Sequence, residues 1–260
     1  MTRRAKNLLS VTLGEKGFLL SAVVLAAAGC ASVDGSALPH QARSYIVGVD
    51  ISGSRTPTEL TESKQLLNRL IDNLEVGDRL TLVEMYQGGK LPARQWSDST
   101  RASKTPDKPG PSELRRLEDF KAIAKIQAQI LFDTTRAKEI RNTDIFGTLV
   151  RAADYSRPSP NTRRTLLLLS DMINETPDVT MTTRSAIPTD AWIKHLSAEQ
   201  RIPQLRDVCV VVAGADVSSA RGAAIRNFWE KYFEAAGTHL NPDNYRNMIA
   251  NASEVSCGGA

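Results

Sequence analysis

Five oxygen-bearing side chains stand out by type and placement. Asp50, Ser52 and Ser54 occupy alternate positions in YIVGVDISGS, directly behind an apolar run. Asp171 follows a second apolar run in TLLLLSD. Thr143 lies in NTD, just ahead of a stretch whose apolar positions are Ile145, Leu149, Ala152 and Ala153. Carboxylates and small hydroxyls with no imidazole or thiolate among them form an oxygen-only donor set. That set suits a hard divalent cation, Mg²⁺ first, with Mn²⁺ or Ca²⁺ as alternatives. Zinc would ask for nitrogen or sulfur, and His40, His195 and His239 show no ligand spacing. Each piece also has an ordinary reading: a serine-rich turn that caps a helix, an N-cap threonine, a turn acid.

For these residues to meet, the elements before them must run side by side. Short apolar runs at 45–49, 80–85, 165–169 and 208–213 read as strands, and the last two are apolar on both faces, as central strands covered by helices are. Helical periodicity fills the gaps. Leu60, Leu67, Leu70, Ile71 and Leu74 make one face, with Gly77 as a stop. Ser112 is a candidate cap for a helix with the face Leu114, Leu117, Phe120, Ile123, Ile126 and Ile130. Ile225, Phe228, Trp229, Tyr232, Phe233 and Ala236 make a third face, ended by Gly237. Residues 87–111 are polar, basic and proline-rich and read as a loop or insertion, in which Trp96 is either a contact anchor or a side chain folded back onto the domain. Residues 174–203 read as loop with one short helix at 189–196, and a last short strand is expected near 248–250. Alternating strands and helices predict an α/β domain with a mainly parallel sheet, whose carboxyl edge binds ligands.

Asp50-x-Ser52-x-Ser54, Thr143 at a helix start and Asp171 at a strand end together resemble the metal-ion-dependent adhesion site of von Willebrand factor type A (VWA) domains. The resemblance spans residues 44–236 and implies a Rossmann-like three-layer αβα fold. It implies Ser52, Ser54 and Thr143 as direct Mg²⁺ ligands, Asp50 and Asp171 acting through coordinated water, and an open position filled by a partner protein's carboxylate. Two departures are visible. The Asp50 to Thr143 separation is long, which the 87–111 insertion accounts for, and Met172 stands where the family often has Gly.

The amino-terminal residues have the three-part pattern of an export signal: MTRRAK, an apolar stretch at 17–28, then small residues. Ala27-Ala28-Gly29-Cys30 resembles the lipobox of bacterial lipoproteins, which implies a signal at 1–29, a lipid on Cys30 and a flexible tether at 30–43 before a domain at 44–260. Ala31 is similar to the outer-membrane sorting class. The implied location is the cell envelope, on the periplasmic side of an outer membrane where one exists. With Cys30 lipidated, Cys209 and Cys257 are left as one disulfide in an oxidising compartment, or as two reduced thiols. A formal charge of +4, partly carried by Arg3, Arg4, Lys6 and Lys16, gives no basis for nucleic-acid binding. The function expected is therefore a lipid-anchored, cation-dependent protein-interaction module. The alternatives are a Mg²⁺-dependent hydrolase and a VWA-like module with a vestigial ion site. A hydrolase has weak support: Ser52 replaces the second acid of a D-x-D nucleophile motif, and there is no G-x-S-x-G.

Overall fold

The computed structural model describes residues 41–86, 95–99, 109–133, 142–159 and 161–257. The stretch read as an export signal and Cys30 lie outside them, as do Arg94, Arg101, Lys104 and Lys108, the basic residues of the 87–111 segment. Six strands form one sheet in the order β3-β2-β1-β4-β5-β6, with β1 Arg43–Val49, β2 Arg79–Glu84, β3 Gln95–Ser99, β4 Arg163–Leu169, β5 Val208–Ala213 and β6 Tyr245–Arg246. All neighbouring pairs are parallel except β2 with β3. The helices are α1 Pro57–Asp72, α2 Pro111–Leu131, α3 Ile145–Tyr155, α4 Asp190–Ala198 and α5 Ala220–Ala235.

The period-two alternation of each strand sorts its side chains into two cores. Tyr45, Val47, Leu82, Leu167, Leu169 and Val211 join α1 and α2 on one face. Ile46, Val83, Leu166, Leu168, Val210 and Val212 join α3, α4 and α5 on the other. The result is a three-layer α/β fold. Because β1, β4 and β5 are covered on both faces, they read as near-continuous apolar runs. Aromatic α5 supplies the bulk of the second core, with Trp229, Tyr232 and Phe233 fully enclosed.

Five sequence expectations need correction. The 87–111 segment is not all loop, since residues 95–99 pair antiparallel with β2, setting Trp96 opposite Leu82. A polar strand is possible there because an edge strand has only one neighbour. Arg43, assigned to the tether, opens β1, where its Nε and Nη2 donate to the buried carboxylate of Asp78. The last strand is at 245–246 rather than 248–250: Tyr245 is buried against β5, whereas Met248 is 55% exposed. On α2 the cap is Gly110, whose N–H donates to Glu113, and not Ser112. Its core face is Leu117, Phe120, Ala124, Ala128 and Leu131, leaving Leu114, Ile123, Ile126 and Ile130 exposed. Small residues win that face because α2 lies close against α1. The short helix at 189–196 forms as α4, and α1 stops at Asp72, before Gly77.

After β6 the chain returns as an irregular strap. Ile249, Ala252 and Val255 bury into the first core, and Cys257 closes a disulfide with Cys209 across a separation of 48 residues. On the loop-entropy account such a cross-link stabilises by about 3–4 kcal/mol. Cys257→Ser should lower unfolding free energy by about that amount in urea titrations, and reductant should destabilise wild type by a similar amount while leaving the variant unmoved.

Candidate metal centre

The site is built on the carboxyl ends of β1 and β4. Asp50 is one residue past β1, yet its N–H still donates to the Leu169 carbonyl at 3.0 Å, so its position is fixed by the sheet. Its side chain is fully buried. Oδ1 accepts from the Ser52 N–H at 2.9 Å and faces the Thr143 hydroxyl at 3.4 Å, and Oδ2 accepts from the Ser170 hydroxyl at 2.8 Å. The Ser52 and Ser54 hydroxyls lie 2.9 Å apart. One carboxylate thus touches three segments of the chain.

Thr143 reaches this place because a neighbour relieves it of capping duty. Asp144 caps α3, accepting from the Gly147 N–H at 2.8 Å, while a Cβ on Gly147 would fall 2.1 Å from Asp144 Oδ2. Glycine is therefore required for that approach, and the Thr143 hydroxyl is left for the site. The loop after β4 is fastened to the same helix start. Asn174 Oδ1 accepts from the Ile145 N–H at 2.9 Å, its Nδ2 donates to the Val179 carbonyl at 2.8 Å, and the Glu175 N–H donates to the Thr143 carbonyl at 2.8 Å.

Asp171 faces the same space from β4. Its Oδ1 accepts from the Ile173 N–H at 2.9 Å. Burial, and then the charge of Asp50, push its carboxyl up to about 6, against the opposing pull of the Ile173 bond, Arg55 and Ser54. Glu175 is raised for the same two reasons, burial first. Met172 adopts φ 64°, the left-handed region that glycine enters freely, and this is the position where the VWA family often has Gly. Trp229 Nε1 donates to its carbonyl at 2.9 Å, the Ser170 hydroxyl accepts from its N–H, and its side chain is fully enclosed, so packing and hydrogen bonds hold the strained backbone.

The structure brings Asp50, Ser52, Ser54, Thr143 and Asp171 together. No group of three or more His, Cys, Asp or Glu side chains suited to a metal occurs among the described residues. An oxygen site with two acids and three hydroxyls does not need one, and its donor chemistry fits a hard dication. His195 is exposed beside Glu199, on the outer surface of α4. Sequence reading passed over Ser170, Asn174, Asp144 and Arg55. An Asn three residues after Asp171 and an acid at N-cap spacing from Gly147 carried some signal for two of them; Arg55 carried none.

No protein-family model matches the chain, and no curated protein does. Among solved structures it is similar to an aerotolerance-related membrane protein from Bacteroides fragilis, with 14% identity, 80% of this chain and 92% of that one covered, and a TM-score of 0.44. It is also similar to a von Willebrand factor type A protein from Catenulispora acidiphila, with 14% identity, 76% and 43% coverage and a TM-score of 0.40. Manganese-loaded TRAP protein from Plasmodium vivax gives 15% identity, 84% and 71% coverage and a TM-score of 0.40. Likenesses of this size carry no functional weight. The fold stands on this chain's own sheet order and two helical layers, and it is a Rossmann-like three-layer α/β domain with a mainly parallel sheet.

Proposed function

We propose that this protein is a protein-interaction module that binds a partner's acidic side chain through a divalent cation, Mg²⁺ first, at the carboxyl edge of its sheet. Ser52, Ser54 and Thr143 would bind the ion through their hydroxyls. Asp50 and Asp171 would accept from its coordinated water and balance its charge. The ion supplies a positive centre with a coordination position left for an incoming carboxylate. The observation that carries this reading is the meeting of one buried and one half-buried carboxylate with three hydroxyls, with no His or Cys among the described residues at that edge. Like charges held together away from water are costly, and a dication offsets that cost. A lipid on Cys30 would hold the domain at the bacterial envelope, with an envelope protein as the partner.

Mg²⁺ should raise Tm in wild type, and Asp50→Ala should remove the increment whatever it does to the metal-free Tm. An Asp50→Ala protein that keeps the full Mg²⁺ response would sink the site. The raised Asp171 carboxyl adds a pH test. In metal-free protein the fold retains a proton that the unfolded chain has released between about pH 4 and 6. This group's contribution to stability is therefore fullest below about pH 4 and declines by about 2–3 kcal/mol as pH rises through 6. In chelator, Tm should drop between about pH 5 and pH 7.5, and Asp171→Asn should flatten that drop. The Mg²⁺ increment should be larger at the higher pH.

A further inference from the structure

Behind the D-x-S-x-S turn lies a cation that the chain supplies itself. Arg55 directly follows Ser54, and its side chain is 1% exposed, an unusual burial for a guanidinium. Its N–H donates to the Ser52 carbonyl at 3.1 Å, tying it to the D-x-S-x-S turn. Nη2 donates to Ser63 at 3.1 Å, while Nε and Nη1 make no hydrogen bond and Nε stands 3.8 Å from Glu59. The Glu59 carboxylate is already engaged by the N–H and hydroxyl of Thr56. A cavity of about 10 Å³, room for one water, adjoins the guanidinium between α1 and the end of β5.

The other side of Arg55 explains its position. A Cβ placed on Gly214 would lie 2.8 Å from Arg55 Nη2 and 3.0 Å from the Ser170 carbonyl, so the guanidinium and the peptide that leads into Asp171 crowd one point. Gly214 sits there at φ 110°, a conformation and a gap that a side chain would close. Arg55 is thus tied on one side to the turn that carries Ser52 and Ser54 and crowded on the other against the peptide that leads into Asp171. A buried, incompletely bonded arginine costs stability unless nearby negative charge offsets it.

We propose that Arg55 is a resident counter-charge that sets the cation affinity of the Asp50–Asp171 site. It neutralises part of the acid pair's charge and repels the ion that the pair attracts. The site then holds its dication weakly by itself, and an incoming carboxylate, which restores the missing negative charge, strengthens it. This rests on the ion-site reading above and deepens it. A dication beside a buried like charge is penalised far more than it would be in water.

The test is Mn²⁺ and Mg²⁺ titration calorimetry at about pH 8 on wild type, Arg55→Met, Arg55→Gln, Arg55→Lys and Asp50→Ala. Circular dichroism in chelator identifies the variants that fold. Arg55→Gln, which retains a donor for Ser63, stands in if Arg55→Met does not. The neutral variants should bind at least about tenfold more tightly than wild type, and Arg55→Lys should stay near wild type. A gain in affinity is a result that mere loosening of the turn would not give. Equal or weaker binding by the neutral variants, with wild type still binding through Asp50, overturns the role of Arg55 alone. Absence of binding in wild type and neutral variants alike overturns both this role and the ion site.

Discussion

Everything at the carboxyl edge depends on keeping one carboxylate, Asp50, out of water. An isolated ionised acid is expensive to bury, and the fold answers with donors drawn from three segments: the Ser52 N–H, the Thr143 hydroxyl and the Ser170 hydroxyl. Those bonds also fix where α3 starts and where β4 ends. Burial first, and then the same carboxylate, raises Asp171 and Glu175. A single charge thus organises the geometry of the edge and leaves it short of positive charge.

The supply of that charge distinguishes this domain from a plain oxygen cage. Arg55 approaches from behind the D-x-S-x-S turn, through the gap left by Gly214. In the proposed function the ion approaches from the open side. On that proposal the edge would be contested by two cations of different kinds, one covalently part of the chain and one exchangeable.

The central strands were legible because burial on both faces writes itself as unbroken Leu and Val runs, as in residues 165–169 and 208–213. Ser52, Ser54, Thr143 and Asp171 were legible because they follow such strands or precede a helical pattern. What sequence hid was set by contacts distant along the chain. The isoleucines of α2 form the more conspicuous stripe, yet closeness to α1 selects Ala124 and Ala128 for the core. β6 is two residues long and takes its identity from β5 alone. Arg55 looks like any exposed basic residue until a glycine about 160 positions later makes room for it. Met172 shows the reverse case, a residue that breaks a local rule because Trp229, far along the chain, holds its backbone.

The disulfide has a mechanical meaning. Cys209 lies near the start of β5, in the same row as Thr165 and Tyr45, so residue 257 is bolted to the amino edge of the sheet where β1 also begins. A pull between residues 41 and 257 enters at that edge and is borne by β1, β4 and β5 side by side. Neither β6 nor the strap is peeled away first. The row from Tyr45 to Asp50 spans about 17 Å at ~3.3 Å per residue, so tension entering at residues 41 and 257 is routed a full strand length away from the residues that would hold the ion.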